Sequence, residues 1–463
     1  MRIRSHVVVM PCVLLVLHLG LRVSIAQQLW AVRGTVVTLT GPIEAATVLI
    51  DGSRIRAIGH DLVVPKGTRL IETDGYIYPG LIDLHNHVTW NVFTRWAGGQ
   101  KYGARYDWQQ QPEYLMALDT PHHMLIAEGH GCAAERFAEV KAVAGGATSQ
   151  AGLSLADLSA PTPAKPLPNC LANIVRELGV ASRLYPRDTP EPLQYKVFPL
   201  ALDEAEAVSL REGLGNGAIR SALVHLAEGN PQNAGTRREF GELKARGLLI
   251  RGVTVIHGVA LTTGNFAEMA KAGVGLVWSP RSNFELYGGT SNVEAAKKAG
   301  VMMAIAPDWS PTGSDGMLQE LKYAAVWNAT QQPVVFTDQD LFEMATRNAS
   351  RLAGIDDEVG TLEVGKRADL LVLKSHEGNA YTAVVHAKAA DVELVVVDGV
   401  PAYGDADLMT KINGEHSDTR VAVCGVSKKL TLTSVDDWDS TVNELRSALD
   451  KWGSELSPIT DCR

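Results

Sequence analysis

From residue 81 to residue 360 apolar, strand-like runs alternate with helical stretches, and this alternation constrains the fold more than any other feature of the chain. ATSQAGL, YKVFPLAL, RSALVHL, VTVIHGV, VGLVWSP and VMMAIAP are the strand-like runs. ERFAEVKAVAGG, NVEAAKKAG and DQDLFEMATRNASRLAG read as helices. Such alternation predicts a parallel α/β sheet covered by helices. Residues capable of chemistry end several different runs, which favours an eight-stranded (β/α)8 TIM-like barrel over an open sheet, because a barrel gathers its strand ends at one mouth. Outside this region the texture changes. AVRGTVVTLTG and ATVLIDGSRIRAIG, within residues 30 to 72, and ADLLVLK and VELVVVDGVPAYG, from 368 to 404, are β-branched runs broken by Gly and Asp-Gly turns. They predict a small antiparallel sheet.

A length of 463 residues accommodates a barrel of well over ~200 residues and a smaller domain. Hydrophobic residues at 46% and charged residues at 21% exclude wholesale disorder, collagen and a polytopic membrane protein. With 43 basic against 52 acidic residues the formal charge is -9, so no basic excess is available to neutralise a phosphate backbone. A nucleic-acid partner is not expected. Arg2 and Arg4 precede an uncharged apolar run from Val7 to Leu21, and Ser24 and Ala26 offer small residues for cleavage, the order of a secretory signal over residues 1–26. The run carries Pro11, His18 and Gly20 and is too short for a stable membrane anchor. Removing it leaves a net charge of -12 and predicts a periplasmic or extracellular protein. Cys132, Cys170, Cys424 and Cys462 then remain, an even number suited to an oxidising compartment. Four cysteines allow three pairings. Order along the chain favours Cys132 with Cys170 and Cys424 with Cys462.

The run YPGLIDLHNHV ends in His85 and His87, whose side chains share a face in a strand and can converge on one cation. His225 ends ALVHLAEG with Glu228 three residues on, His257 ends VTVIHGV, and Asp308 follows VMMAIAP directly. Imidazoles and carboxylates left repeatedly beside buried strands are expected to coordinate something.

On these residues, together with PGLIDLHNH, HLAE, IHG, SPRSN at 279–283, PDWSPTGS and GTLEVGKRADLLVL, the chain resembles the amidohydrolase superfamily of metal-dependent hydrolases. Within it the chain is similar to the single-metal branch of adenosine, cytosine and guanine deaminases and triazine chlorohydrolases. The resemblance implies His85, His87, His225 and Asp308 as metal ligands, His257 as the residue that orients or polarises the attacked group, and Glu228 as the carboxyl proton shuttle. It implies a β-sandwich domain from residues 30–80 and 361–404, a barrel over 81–360 and a peripheral extension over 405–463. Two features depart from the pattern. Ala306 and Pro307 precede Asp308 where relatives carry Gly and Ser or Thr, and a competing Asp315 lies deeper in a Pro/Gly-rich loop. Lys196 stands where the two-metal relatives would carry a carboxylated bridging lysine.

The ligand set calls for one divalent ion, zinc or alternatively iron, whose bound water attacks an sp² carbon bearing nitrogen or another leaving group. Asp308 can accept the water's proton and Glu228 can protonate the leaving nitrogen. Trp90, Phe93, Trp96, Tyr102, Tyr106, Trp108 and Tyr114 crowd the loop after His87, which either lines a pocket for a planar substrate or packs as a long excursion. Trp90, Trp96, Asn283 and Trp309 are the expected substrate contacts. The expected partner is a small-molecule substrate, and a homo-oligomer is compatible with this reading. The expected activity is secreted hydrolysis of a non-peptide C–N bond in an amide, urea, carbamate or heterocycle, with deamination of a nucleobase-like ring as the alternative. A binding protein that has lost catalysis is a third reading, opposed by the retained Glu228 and His257.

Overall fold

The structure, a computed structural model, describes residues 29–96, 99–153, 170, 174–179, 184–185, 193–196, 202–374, 378–414, 419–432 and 438–462. The expected leader, residues 1–26, lies outside them, as does the side chain of Lys196.

Among the described residues, eight parallel strands occupy the middle of the chain in two arcs. Leu81–Asp83, Ala147–Gln150 and Arg176–Glu177 form an arc of three. Leu193–Lys196, Ser221–Leu226, Val253–His257, Gly275–Trp278 and Met303–Ile305 form an arc of five. The arcs meet where Asp308 N donates to His85 O at 2.9 Å, in a parallel bridge between Asn86 and Asp308. Every residue of Ser221–Leu226 and of Val253–His257 is buried, as expected for parallel strands covered on both faces. Ile256, Val277 and Ala304 are register partners on three successive strands and share one core cluster with Leu193 and Leu223. Burial of each large aliphatic side chain contributes ~1.5–3 kcal/mol. Between strands run capped helices. Asp203 and Glu206 form a capping box for Glu204–Asn216, and Thr262 and Asn265 do so for Thr263–Ala272. Both helices close on a left-handed glycine, Gly217 (φ 78°) and Gly273 (φ 73°).

Both ends of the chain meet in one continuous nine-stranded ladder. Leu370–Leu373 lies antiparallel to Arg69–Pro79, and that pairing joins the ladders of the two termini into a continuous whole. Residues 419–423 and 426–430 extend the same sheet through Val400–Asp405. The helix Trp438–Asp450 then crosses to the helix Gly131–Ala144, stacking Trp438 on Phe137 with ring centres 5.6 Å apart. Beyond it, Ser457 N donates to Val92 O and Ser457 Oγ to Asn91 O, both at 2.8 Å, while buried Lys141 bonds Ser457 Oγ and Asp315 Oδ1, both at 2.9 Å. The tail is thus fastened beneath the loop that follows His87. Among the described residues no helix is long and apolar enough to cross a membrane.

Cys132 is bonded to Cys170 and Cys424 to Cys462, the pairing favoured by order along the chain. Non-reducing peptide mapping is expected to recover these two linked pairs. Each contributes ~2–4 kcal/mol. Four free thiols would contradict the pairing.

Candidate metal centre

The strand ends deliver their polar residues to one place. His85 and His87 lie just past Leu81–Asp83, His225 is the penultimate residue of its strand, His257 is the last of its own, and Asp308 follows Met303–Ile305. His257 and Asp308 sit at φ 68° and 70°, a left-handed conformation that non-glycine residues adopt only under local strain, and here it turns each side chain away from the regular strand alternation. His85 Nε2 lies 3.1 Å from His225 Nε2 and 3.2 Å from Asp308 Oδ1, and His87 Nε2 lies 3.3 Å from the same oxygen. Donor atoms ~2.0–2.1 Å from a shared tetrahedral ion stand about 3.3 Å from one another, so these spacings fit a single small divalent cation. Burial pushes the His85 imidazole down to about 4 and His225 well below its ordinary value, so both are neutral at neutral pH, the form in which an imidazole could hold a metal ion. Burial alone would raise Asp308, but the imidazoles of His85 and His87 outweigh it and hold the carboxyl well below the usual carboxylate range.

Each of these groups is held from behind. His85 Nδ1 pairs with Ser279 Oγ at 2.7 Å, and Ser282 Oγ donates to Asp308 Oδ2 at 2.6 Å while also contacting Thr312 Oγ1 at 2.8 Å. His257 Nδ1 donates to Asn283 Oδ1 at 2.8 Å, which turns Nε2 toward Glu228 Oε2, 3.7 Å away. Glu228 Oε1 accepts the Tyr287 hydroxyl at 2.6 Å, and Arg105 Nη1 stands 3.5 Å from Oε2. Ser279, Ser282, Asn283 and Tyr287 therefore support His85, Asp308, His257 and Glu228 from one short stretch, the helix Pro280–Tyr287 with the residue before it. Sequence reasoning missed Ser279, Ser282, Tyr287 and Arg105. A signal existed for the first three: with Asn283 they recur at i, i+3, i+4 and i+8, a polar stripe on a helix directly after a buried strand.

The aromatic loop folds into a buried cluster beside His87 and Asp308. Trp309 is 5.7 Å from the His87 ring and touches Trp90, Trp108 and Tyr114 at 5.6–6.5 Å. Trp90 stacks on His122 at 3.7 Å, and Trp96 packs among Tyr102, Trp108 and Tyr114. Tyr106 is exposed. The Asn283 amide is taken up by His257 and by Thr290. Asp315 stands apart from the imidazoles, bonded to Lys141 and to Asp461 N.

A family model for the amidohydrolase family matches residues 205–402, the stretch that carries His225, Glu228, His257 and Asp308. The likeness of the chain runs to proteins of the deaminase-like branch of that family. The chain is 27% identical to a 5-methylthioadenosine/S-adenosylhomocysteine deaminase of Moorella thermoacetica over 79% of this chain and 91% of that protein. It is 32% identical to the same-named enzyme of Desulforudis audaxviator, an alignment spanning 38% of this chain and 44% of that relative. Among solved structures it is similar to an atrazine chlorohydrolase of Arthrobacter aurescens complexed with zinc (TM-score 0.66, 16% identity, 90% of this chain and 99% of that one). It is also similar to a zinc-bound adenosine deaminase of Xanthomonas campestris (TM-score 0.64, 16% identity, 92% and 99%). At these identities the structural likeness establishes the amidohydrolase barrel fold alone.

Proposed function

We propose that the chain is an exported amidohydrolase that uses one divalent ion, zinc, to hydrolyse a non-peptide carbon–nitrogen bond of a small molecule. The observation that carries this reading is the division of labour in the centre. His85, His87, His225 and Asp308 converge as donors, while the Glu228 carboxyl is held beside them by Tyr287 with Oε2 facing His257. A divalent ion held by those four residues supplies a nucleophilic water near neutral pH. Asp308 keeps Oδ2 on Ser282, so Oδ1 is the oxygen available to the ion and to the water's proton. His257, with Nδ1 donating to Asn283, is left with Nε2 as an acceptor that aligns the attacking water. Glu228 gives its proton to the leaving nitrogen: the carboxyl O–H bond breaks as the N–H bond forms, and an amine departs where an amide anion could not.

Two features narrow the substrate. The Trp309 ring beside His87, backed by Trp108 and Tyr114, suits a planar group, and the names of the curated relatives favour deamination of a nucleobase-like ring. Export, supported by the pattern of residues 1–26 and by two disulfides, favours instead an amide, urea or carbamate met outside the cytosol. Zinc-loaded protein assayed for ammonia release from exocyclic amines, and for arylamine release from anilides and aryl ureas, decides between them. Turnover of neither class would overturn the hydrolase reading in favour of a binding protein.

A further inference from the structure

The hydroxyl of Tyr287 does two things at once: it donates to Glu228 Oε1 at 2.6 Å and accepts the indole N–H of Trp108 at 2.9 Å. An indole N–H only donates, so the phenol oxygen is engaged as an acceptor on that side and its own proton points at Glu228. Were the Glu228 proton placed on Oε1, the buried Tyr287 hydroxyl would face a protonated oxygen, a much weaker acceptor than the carboxylate oxygen it now meets at 2.6 Å. Oε2 is held less tightly: Arg105 Nη1 donates to it only at 3.5 Å, and His257 Nε2 faces it at 3.7 Å.

We infer that Tyr287, directed by Trp108, assigns the mobile proton of Glu228 to Oε2. This rests on the proposed role of Glu228 as proton shuttle and adds which oxygen works and what selects it. Both are positioning residues, acting through Glu228. Trp108 belongs to the loop after His87, which is seated on the same helix as Tyr287 through Tyr102 N to Leu286 O at 2.8 Å and Lys101 Nζ to Glu285 O at 2.7 Å. It is also seated on the Glu228 loop through Asn230 N to Gly103 O at 2.8 Å. Gly229 lets these loops meet: a Cβ there would stand 2.4 Å from Gly103 O. Seating of the aromatic loop and orientation of the proton donor are therefore one event. In turnover the Oε2–H bond breaks and an N–H bond forms on the leaving nitrogen, with Oε1 still capped by Tyr287. A proton from the attacking water then restores Oε2.

The test is a double-mutant cycle in the zinc-loaded full chain with Tyr287→Phe, Glu228→Gln and the pair. Tyr287→Phe is expected to lower kcat by about 10- to 100-fold on a substrate with a poor amine leaving group, to leave KM within about 2-fold and to leave metal content unchanged. In the Glu228→Gln background the same change is expected to alter kcat by less than about 2-fold, because the group it positions is already gone. Trp108→Phe runs the same cycle with a smaller loss and serves if Tyr287→Phe does not fold. Equal losses in both backgrounds, or a raised KM at unchanged kcat, would overturn the inference while leaving the shuttle in place. A Glu228→Gln enzyme of wild-type rate on the poor leaving group would overturn the shuttle and the inference together.

Discussion

Glu228→Gln is expected to lower kcat by ~10²–10⁴ on substrates with poor amine leaving groups while the protein keeps its fold and its metal. Gln preserves the side-chain volume and an acceptor oxygen for the Tyr287 hydroxyl, so the buried contacts on the Oε1 side survive. It carries no transferable proton, so only delivery to the leaving nitrogen is lost. The deficit should shrink for activated aryl leaving groups that depart unprotonated, and a series of substrates graded by leaving-group basicity measures this directly. Metal analysis on the same sample separates the two roles a carboxylate can have here. Loss of the ion would make Glu228 a ligand, a reading its place within reach of His225 and His257 leaves sterically open.

His87→Asn is expected to abolish metal binding and activity together, from about one ion per chain to a small fraction and from full turnover to background. His87 is the best ligand to change because its side chain is 21% exposed, whereas His85 is fully buried and its loss would also open the core. Its Nε2 lies 3.3 Å from Asp308 Oδ1, so the shorter amide withdraws one of the four donors from the set. Elemental analysis of wild-type and variant protein, beside assays on one substrate, checks both parts. Retained activity would sink the ligand assignment. Two tightly held ions in the wild type would shift the case to a binuclear centre with Lys196.

Much of the centre could be read from residue order. His85 and His87 one residue apart at a strand end, Glu228 three residues after His225, and Asp308 immediately after an apolar run are local patterns, and local geometry carries them into the fold with little change. The aromatic residues of the loop after His87 were equally visible, but composition left two outcomes open. The structure shows them packed together, with Trp309 bringing the cluster to the His87 ring.

By itself the sequence determined the parallel α/β middle, the antiparallel texture of both ends, the six residues of the centre and a disulfide order that favours local bridges. Each of these follows from short-range periodicity or from spacing along one strand. The tertiary structure alone decided which long-range partners those residues meet. It joined the two termini through the pairing of Leu370–Leu373 with Arg69–Pro79. It also set Trp108 against Tyr287, 179 residues apart, and Tyr287 against Glu228, 59 residues apart. A hydrogen bond depends on position and direction in space to within a few tenths of an ångström, and nothing in the spacing of residues along the chain encodes that.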